Sequence, residues 1–230
     1  MDGFVTIDSI GMMHFFAREG NGWKMVLQRS LGCAVTMAAL NESGTIVFIG
    51  NESEVVKVVN LASGEVTEVT TNCQRALSLV PFELGDQEML VVTSSSSISV
   101  IDVKMNKRLR ITMEEGQQFF YSSVLRLQSG LMVLIVSSKA HSMSTVTFYS
   151  LPVLKRIAFV VNRDNQCANL IVDLSPLRHN PIILITYQSN QLRLIQFNSN
   201  SYVCSLTHIH NYPMNIQALM EFDKCYSSPF

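Results

Sequence analysis

The sequence has little charge and no long apolar run, and each shortage narrows the class of protein. Only 15% of the 230 residues are charged, whereas 47% are hydrophobic, so the chain can bury a large core and disorder is not expected. The longest purely apolar stretch, "LMVLIV" at residues 131–136, is far shorter than the roughly 20 residues of a membrane-spanning helix. Segments with helical periodicity are also lacking. The sequence therefore favours a globular chain of strands, with no membrane partner.

A secretory signal is missing as well. The N-terminal stretch "MDGFVTIDSIG" carries the acidic Asp2 and no basic region ahead of an apolar run. We therefore expect an intracellular protein, cytoplasmic or nuclear. In such a protein the sequons that begin at Asn41 and Asn51 are interpreted as turn residues rather than glycosylation sites.

The five cysteines include no CxxC pair, which argues against a disulfide framework and against a zinc ribbon. Cys33, Cys73 and Cys167 each come just before an apolar stretch, at spacings of 40 and 94 residues. The second spacing is about twice a repeat of 47 residues. We expect these cysteines to be small buried residues in related environments.

What the sequence does contain is a repeated strand–turn–strand pattern. "EVVKVVNLASGEV" at residues 54–66 alternates apolar and polar residues, breaks at 60–64 and then alternates again. Similar stretches begin at Ser97, Thr145 and Gln191, and an earlier copy begins at Gly11. The aligned pairs are Val59-Asn60, Ile101-Asp102, Tyr149-Ser150 and Ile195-Gln196, at spacings of 42, 48 and 46 residues.

Two further strands precede each of the later copies. The nearer one is almost wholly apolar: "TIVFIG", "EMLVVTS", "LMVLIVS" and "PIILITYQ", with "FVTID" before the first copy. The farther one is "AVTMAAL", "RALSLVP", "SVLRLQ" or "NLIVDL". Turn-forming residues separate the two, so each unit is predicted to be a four-stranded antiparallel meander. Val91, Leu134 and Ile183, in three of the apolar strands, are predicted to be buried.

Four strands in every 40 to 48 residues are typical of the blades of a β-propeller. A single meander has two apolar faces, which stacked blades can cover. "VKVVNLASGEV" resembles the end of a tryptophan-aspartate (WD40) repeat, and "ISVIDV" keeps the aspartate as Asp102. Val59, Ile101, Tyr149 and Ile195 stand where the tryptophan would be, and no blade opens with Gly-His. The resemblance, which covers nearly the whole chain, is therefore to a degenerate WD40-like propeller.

The strand count amounts to five blades in a single domain, 1–230. The approximate blades are 1–30 together with 213–224, then 31–72, 73–116, 117–163 and 164–212. The first blade has only its outer three strands, and "NIQALMEF" at residues 215–222 is expected to complete it by pairing with residues 4–7. The alternative, a fragment of a longer seven-bladed propeller, is equally open.

No motif in the sequence indicates catalysis. A P-loop, GxGxxG, HExxH and GxSxG are all absent. His208 and His210 share a strand face with Cys204, but "THIHNYP" is interpreted as an outer strand that runs into a loop, and no fourth metal ligand is indicated. We therefore predict no catalytic residue, no metal, no cofactor and no small-molecule substrate; a propeller enzyme is the least favoured alternative.

Charge is unevenly divided along the chain. Residues 1–100 have 5 Lys/Arg and 11 Asp/Glu, a net of −6, whereas residues 101–230 have 12 and 7, a net of +5. Such a field can steer two different partners. The candidate partner-binding residues form a basic patch on two outer hairpins: Lys104, Lys107, Arg108, Arg110, Lys155 and Arg156. The alternative is that they are solvated charges that keep blade edges from pairing.

These features predict a non-catalytic scaffold for protein–protein interaction, a subunit of a multiprotein assembly. Fold-level analogy makes a nuclear ribonucleoprotein or ribosome-biogenesis complex one plausible home. The alternative is an RNA-contacting subunit that uses the basic later blades.

Overall fold

The structure is a computed structural model that describes residues 3–112, 117–127, 129–140, 143–162, 168–173, 182–187, 191–198 and 203–211. The secondary structure in these ranges consists of strands and turns. Within them, no helix is long and apolar enough to cross a membrane. The chain divides into two compact units, Met1–Met113 and Glu114–Phe230.

The described part of the first unit has eleven strands in three antiparallel sheets, with strand orders β1-β2-β3, β4-β5-β6-β7 and β8-β9-β10-β11. The strands are β1 (Gly3–Ile7), β2 (Met12–Glu19), β3 (Gly22–Ser30), β4 (Met37–Leu40), β5 (Ile46–Gly50), β6 (Val55–Asn60), β7 (Val66–Thr70), β8 (Ser78–Leu84), β9 (Gln87–Thr93), β10 (Ser97–Asp102) and β11 (Lys107–Thr112).

The described part of the second unit has eight strands in two four-stranded antiparallel sheets, β12-β13-β14-β15 and β16-β17-β18-β19. They are β12 (Gln117–Arg126), β13 (Met132–Ala140), β14 (Met143–Ser150), β15 (Lys155–Asn162), β16 (Ala168–Asp173), β17 (Ile182–Tyr187), β18 (Gln191–Asn198) and β19 (Val203–Asn211). In both units neighbouring strands follow one another in sequence, so the predicted meanders are confirmed.

The first sheet contains the three strands that the sequence assigned to it. The segment expected to add a fourth strand, residues 215–222, lies outside the described residues.

Three of the nearly all-apolar strands, β5, β9 and β13, are buried on both faces, as predicted, whereas β1 is largely exposed and the side chains of β17 lie outside the described part of the structure. In β5, Val47 and Ile49 join the core cluster that contains Met13 and Phe15 of the first sheet, while Phe48 joins the cluster that contains residues of the third sheet. Because successive side chains of a strand point to opposite faces, a strand between two cores is mostly apolar, and polar side chains are tolerated on it where they are hydrogen-bonded, as Ser99 is on β10.

Val91 and Leu134 confirm this prediction at the level of single residues, since both are 0% exposed. The backbone of Ile183 lies in β17, but its side chain lies outside the described part of the structure. In the second unit, Val133 and Ile135 pack with Phe148 in one cluster.

Strand limits differ from the prediction at three of the farther strands. β4 begins at Met37 rather than residue 34, and β8 begins at Ser78 rather than residue 75. Arg75 has a positive φ of 48°, a left-handed conformation that cannot continue an extended strand. β12 begins at Gln117, six residues before the predicted start, and the register shifts between Phe119 and Tyr121.

The cysteine prediction was only partly right. Cys73 is buried, but its Sγ lies 3.3 Å from Ser97 Oγ and 3.4 Å from Ser99 Oγ, so its surroundings are polar as well as apolar. Cys33 is half-buried at the edge of the cluster of the first two sheets. Cys167 lies outside the described residues.

Asn41 and Asn51 are turn residues, as predicted, and are only 4% and 8% exposed. Asn41 Oδ1 accepts hydrogen bonds from the N–H groups of Thr45 (2.8 Å) and Ile46 (2.9 Å). Asn51 Oδ1 accepts from the N–H group of Ser53 at 2.7 Å. The side-chain oxygens of Asn41 and Asn51 therefore stabilise these turns by accepting hydrogen bonds from backbone N–H groups.

Candidate docking surface

The candidate basic residues lie on two hairpins, one in each unit. Lys104 lies in the β10–β11 turn, and β11 carries Lys107, Arg108 and Arg110; Lys155 and Arg156 begin β15. The side chains of Lys104, Lys107, Arg108, Lys155 and Arg156 are exposed, and that of Arg110 lies outside the described part. A patch that joins both hairpins stays a prediction.

The turn that carries Lys104 is built by the aspartate of the sequence repeat. Asp102 is 8% exposed, and its Oδ1 accepts hydrogen bonds from the N–H groups of Lys104 and Met105, both at 3.0 Å. Asn106 completes the turn with a φ of +50°, a conformation that Asn tolerates better than most residues. Asp102 therefore fixes the backbone from which Lys104 projects.

Arg108 also has a contact within the fold. Its Nη1 donates a hydrogen bond to the carbonyl oxygen of Thr70, at the end of β7, over 3.0 Å. This contact joins the outer strands of the second and third sheets. Arg108 is thus partly engaged in holding the first unit together.

The second basic hairpin places a cation beside an aromatic ring. The Arg156 guanidinium lies 5.5 Å from the centroid of the Phe159 ring, within reach of a cation–π interaction. Phe159 is 58% exposed. Burial raises the pKa of the neighbouring Tyr149 phenol, and the Arg156 charge and a hydrogen bond with Thr147 oppose that shift.

One end of the first unit carries two clefts. In an antiparallel meander the first and third turns lie at the same edge, so the β4–β5 and β6–β7 turns share an end of the second sheet. The β8–β9 and β10–β11 turns share an end of the third sheet in the same way. Lys104 and Ile46 line both of the clefts found there.

The first cleft, which we call the apolar groove, has a volume of about 430 Å³. Its floor is aliphatic, and two carboxylates lie on its rim. The floor residues are Ile46, Val58, Val69 and Val103, and the rim residues are Glu65 and Glu68.

The second cleft, which we call the acidic cleft, has a volume of about 310 Å³. Its carboxylates come from β8, from β9 and from the turn between them. They are Glu83, Asp86 and Glu88. Lys104 is the lysine that lines it, so the cation from the predicted basic patch lies among carboxylates.

Glu88 lies at the inner side of the acidic cleft. Its Oε2 accepts a hydrogen bond from Asn41 Nδ2 at 3.0 Å, which links the third sheet to the second. Its Oε1 is buried and has no hydrogen-bond partner among the described residues. Burial raises the pKa of Glu88; the Asn41 hydrogen bond opposes the shift, the carboxylates of Glu83 and Glu42 add to it, and the Lys104 charge lowers it.

The sequence pointed to the acidic half of the chain but not to these clefts. The net charge of −6 over residues 1–100 was visible, whereas the placement of Glu65 and Asp86 in adjoining clefts depends on how two sheets pack. Strand periodicity alone gave no signal for this juxtaposition.

The residues of the candidate metal corner lie on the outer strand β19, whose side chains lie outside the described part of the structure. The outer strand β19 runs through His208 and His210 to Asn211, further than predicted. The register of β18 and β19 shifts between Leu194 and Ile195, where Leu194 pairs with His208 and Ile195 with Leu206. This shift interrupts the strict alternation that placed Cys204 on the same face as the two histidines. Among the described residues, no three His, Cys, Asp or Glu side chains form a group that could hold a metal.

Comparisons with known proteins identify the fold. No family model matches the chain, and no curated protein matches its sequence. The β-propeller domain of Cps50 (Swd1) from Myceliophteria thermophila is similar with a TM-score of 0.69 and 11% identity, over 93% of this chain and 70% of that domain. The dihydro-heme d1 dehydrogenase NirN in complex with DHE is similar with a TM-score of 0.68 and 13% identity, over 91% of this chain and 46% of NirN.

At these identities the similarity shows the fold alone. The protein has a β-propeller fold, and the resemblance to degenerate WD40-like blades is confirmed at that level.

Proposed function

We propose that this β-propeller is a non-catalytic scaffold for protein–protein interaction and a subunit of a multiprotein assembly. The observation that carries the proposal is the end of the first unit where the apolar groove and the acidic cleft meet at Ile46 and Lys104. An open surface that combines aliphatic side chains with fixed charges has the chemistry to recognise a protein segment. The buried meanders beneath it supply a rigid support.

The thiol of the buried Cys73 and the titratable groups of the acidic cleft favour binding over catalysis. Catalysis by a nucleophile requires a base within hydrogen-bond reach, whereas the Cys73 thiol is buried against the Ser97 and Ser99 hydroxyls. The titratable groups of the acidic cleft are carboxylates beside Lys104. The similarity to NirN, a dehydrogenase, is one of fold, and fold does not carry an activity with it.

We also propose where in the cell the protein acts. A cytoplasmic or nuclear location, with a nuclear ribonucleoprotein or ribosome-biogenesis complex as one candidate home, rests on fold-level analogy alone.

Affinity purification of the tagged protein from its own cells tests the scaffold proposal. We expect a defined set of proteins in near-stoichiometric amounts that survives nuclease treatment and moderate salt. Recovery of the protein alone, as a monomer by size-exclusion chromatography, would contradict the proposal.

A second candidate function, contact with RNA, is favoured by the β15 hairpin. Arg156 lies beside the exposed Phe159 ring, and an aromatic ring next to a cation suits the stacking of an unpaired base. A mobility-shift titration with single-stranded RNA at several salt concentrations tests this candidate. Several phosphate contacts would give a steep log–log slope that Lys155→Glu and Arg156→Glu reduce and Arg75→Glu does not; a flat slope would exclude RNA contact.

A further inference from the structure

The floor of the apolar groove continues the core of the first unit. Val58 and Val69 are buried in the cluster shared by the second and third sheets, and the half-buried Ile46 and Val103 pack against the same cluster. Apolar atoms of Ile46 and Val103 therefore face the groove from a fixed position. The volume of about 430 Å³ is within the range of roughly 300–1,000 Å³ that is usual for ligand pockets. The groove can accept an aliphatic side chain.

The wall of the groove favours an extended partner. Thr67 and Glu68 of β7 line it, and β7 is the end strand of its sheet as described. One row of backbone N–H and C=O groups of an end strand faces away from its neighbour and can pair with another chain. The Thr70 carbonyl already accepts a hydrogen bond from Arg108 of the third sheet.

The charge around the groove is negative. Five carboxylates line the apolar groove and the acidic cleft, and Lys104 is the lysine that lines both: the carboxylates are those of Glu65, Glu68, Glu83, Asp86 and Glu88. Glu68 is paired with Lys57 at 3.0 Å. The carboxylates of Glu65 and Asp86, one in each cleft, attract Lys and Arg side chains and repel phosphates and acidic segments.

We propose that the apolar groove and the acidic cleft together form a docking site for an extended segment of a partner protein, in which one aliphatic side chain is flanked by Lys or Arg. The aliphatic side chain enters the groove between Val69 and Val103, and the basic side chains lie over Glu65 and Asp86. This docking site rests on the proposed scaffold function, and it specifies the chemistry of the partner segment that the scaffold would bind.

Fluorescence polarisation with a labelled peptide, Gly-Ser-Lys-Arg-Leu-Lys-Arg-Ser-Gly, tests the site. We expect saturable binding with a Kd on the order of 10–100 μM that weakens as salt rises, because exposed charge pairs are screened. A peptide with Ser in place of Leu, and one with Glu in place of Lys and Arg, should bind at least about tenfold more weakly. Equal binding of the Leu and Ser peptides would overturn the role of the groove.

Matched variants locate the binding. Val103→Arg should fill the groove, whereas Met105→Arg puts the same side chain in the same turn at a residue that does not line it. Glu65→Lys with Asp86→Lys reverses two charges at the site, and Glu52→Lys with Glu54→Lys reverses two charges in the β5–β6 turn at the opposite edge. We expect Val103→Arg, and the double variant at Glu65 and Asp86, to weaken peptide binding about tenfold. Met105→Arg, and the double variant at Glu52 and Glu54, should change the Kd by less than about twofold. An equal loss of peptide affinity in a site variant and in its matched control would contradict the proposed docking site.

The same variants separate this inference from the scaffold function. If the wild-type protein captures its assembly and the Glu65→Lys, Asp86→Lys variant captures it equally well, the docking site is wrong and the scaffold stands. If the wild-type protein captures no assembly, the scaffold function fails. A selective loss of one partner from the variant supports the site. Circular dichroism and the thermal midpoint establish that each variant is folded.

Discussion

Asn60 and Asp102 have the same structural role in two successive repeats. Asn60 Oδ1 accepts hydrogen bonds from the N–H groups of Ala62 (2.9 Å) and Ser63 (3.1 Å), as Asp102 Oδ1 does in the next sheet. Gly64, with a φ of +69°, then closes the turn by donating to the Asn60 carbonyl at 2.8 Å. In these two repeats the turn uses an acceptor at this position rather than a charge, which explains why Asn can stand where a WD40-like motif has aspartate.

We expect Asp102→Ala to lower the free energy of unfolding by about 1 kcal/mol, because two backbone N–H groups lose their acceptor. Asp102→Asn keeps the acceptor and should lose clearly less. Urea denaturation of both variants checks this prediction. If Asp102→Asn lowered the free energy of unfolding as much as Asp102→Ala does, the charge of Asp102 and not its role as an acceptor would stabilise the turn.

We expect Glu88 to make the stability of the first unit depend on pH. Its pKa is raised above the usual 4.5 in the folded protein, first by burial. The folded carboxyl therefore keeps its proton to higher pH than the unfolded one, and stability is lost as pH rises from 4.5 through the raised pKa. Glu88→Gln cannot titrate, so its thermal midpoint relative to the wild type should rise as the pH increases from 4.5 through the raised pKa.

Glu52→Gln, a matched change at an exposed carboxylate in the β5–β6 turn, is the control for the Glu88 experiment. Its difference from the wild type should stay nearly constant over the same pH range, because an exposed charge contributes little. A difference for Glu88→Gln that is flat with pH would contradict the raised pKa of Glu88.

At the scale of elements, the middle strands hold the sheets together. We expect Val91→Ala and Leu134→Ala each to cost about 1 to 4 kcal/mol, through lost burial and the cavity left behind. Leu109, which is 48% exposed on β11, provides the control, and Leu109→Ala should change the free energy of unfolding by less than about 0.5 kcal/mol. Unchanged denaturation midpoints for Val91→Ala and Leu134→Ala would contradict the assignment of β9 and β13 as doubly buried strands.

Most of the meander could be predicted from the sequence, because strands between two cores are mostly apolar and turns need particular residues. The larger errors in strand limits coincide with shifts of register. β12 starts earlier than predicted beside the shift between Phe119 and Tyr121, and β19 extends further beside the shift at Ile195. A bulge breaks the two-residue alternation from which a strand is recognised in the sequence. The strand nevertheless stays paired with its neighbour past the bulge, so it is longer than the alternating stretch.

At the scale of the whole molecule, the division of charge could be predicted and the docking surface could not. The acidic excess of residues 1–100 is a property of the sequence, but Glu65 and Asp86 are 21 positions apart and line adjoining clefts because two sheets pack side by side. Lys104, predicted as part of a basic patch, lines the acidic cleft for the same reason. Packing between repeats, and not the repeat itself, creates the candidate site.

The central claim, that the protein is a scaffold that docks a basic segment at the end of its first unit, is tested most directly by zero-length carbodiimide cross-linking of the native assembly. This chemistry joins a carboxylate to a lysine that touches it. We predict intermolecular cross-links from Glu65 and Asp86 to lysines of one partner, and few from Glu52 and Glu54 in the β5–β6 turn. Intermolecular cross-links confined to Glu52 and Glu54, or none at any of the four carboxylates, would contradict the account.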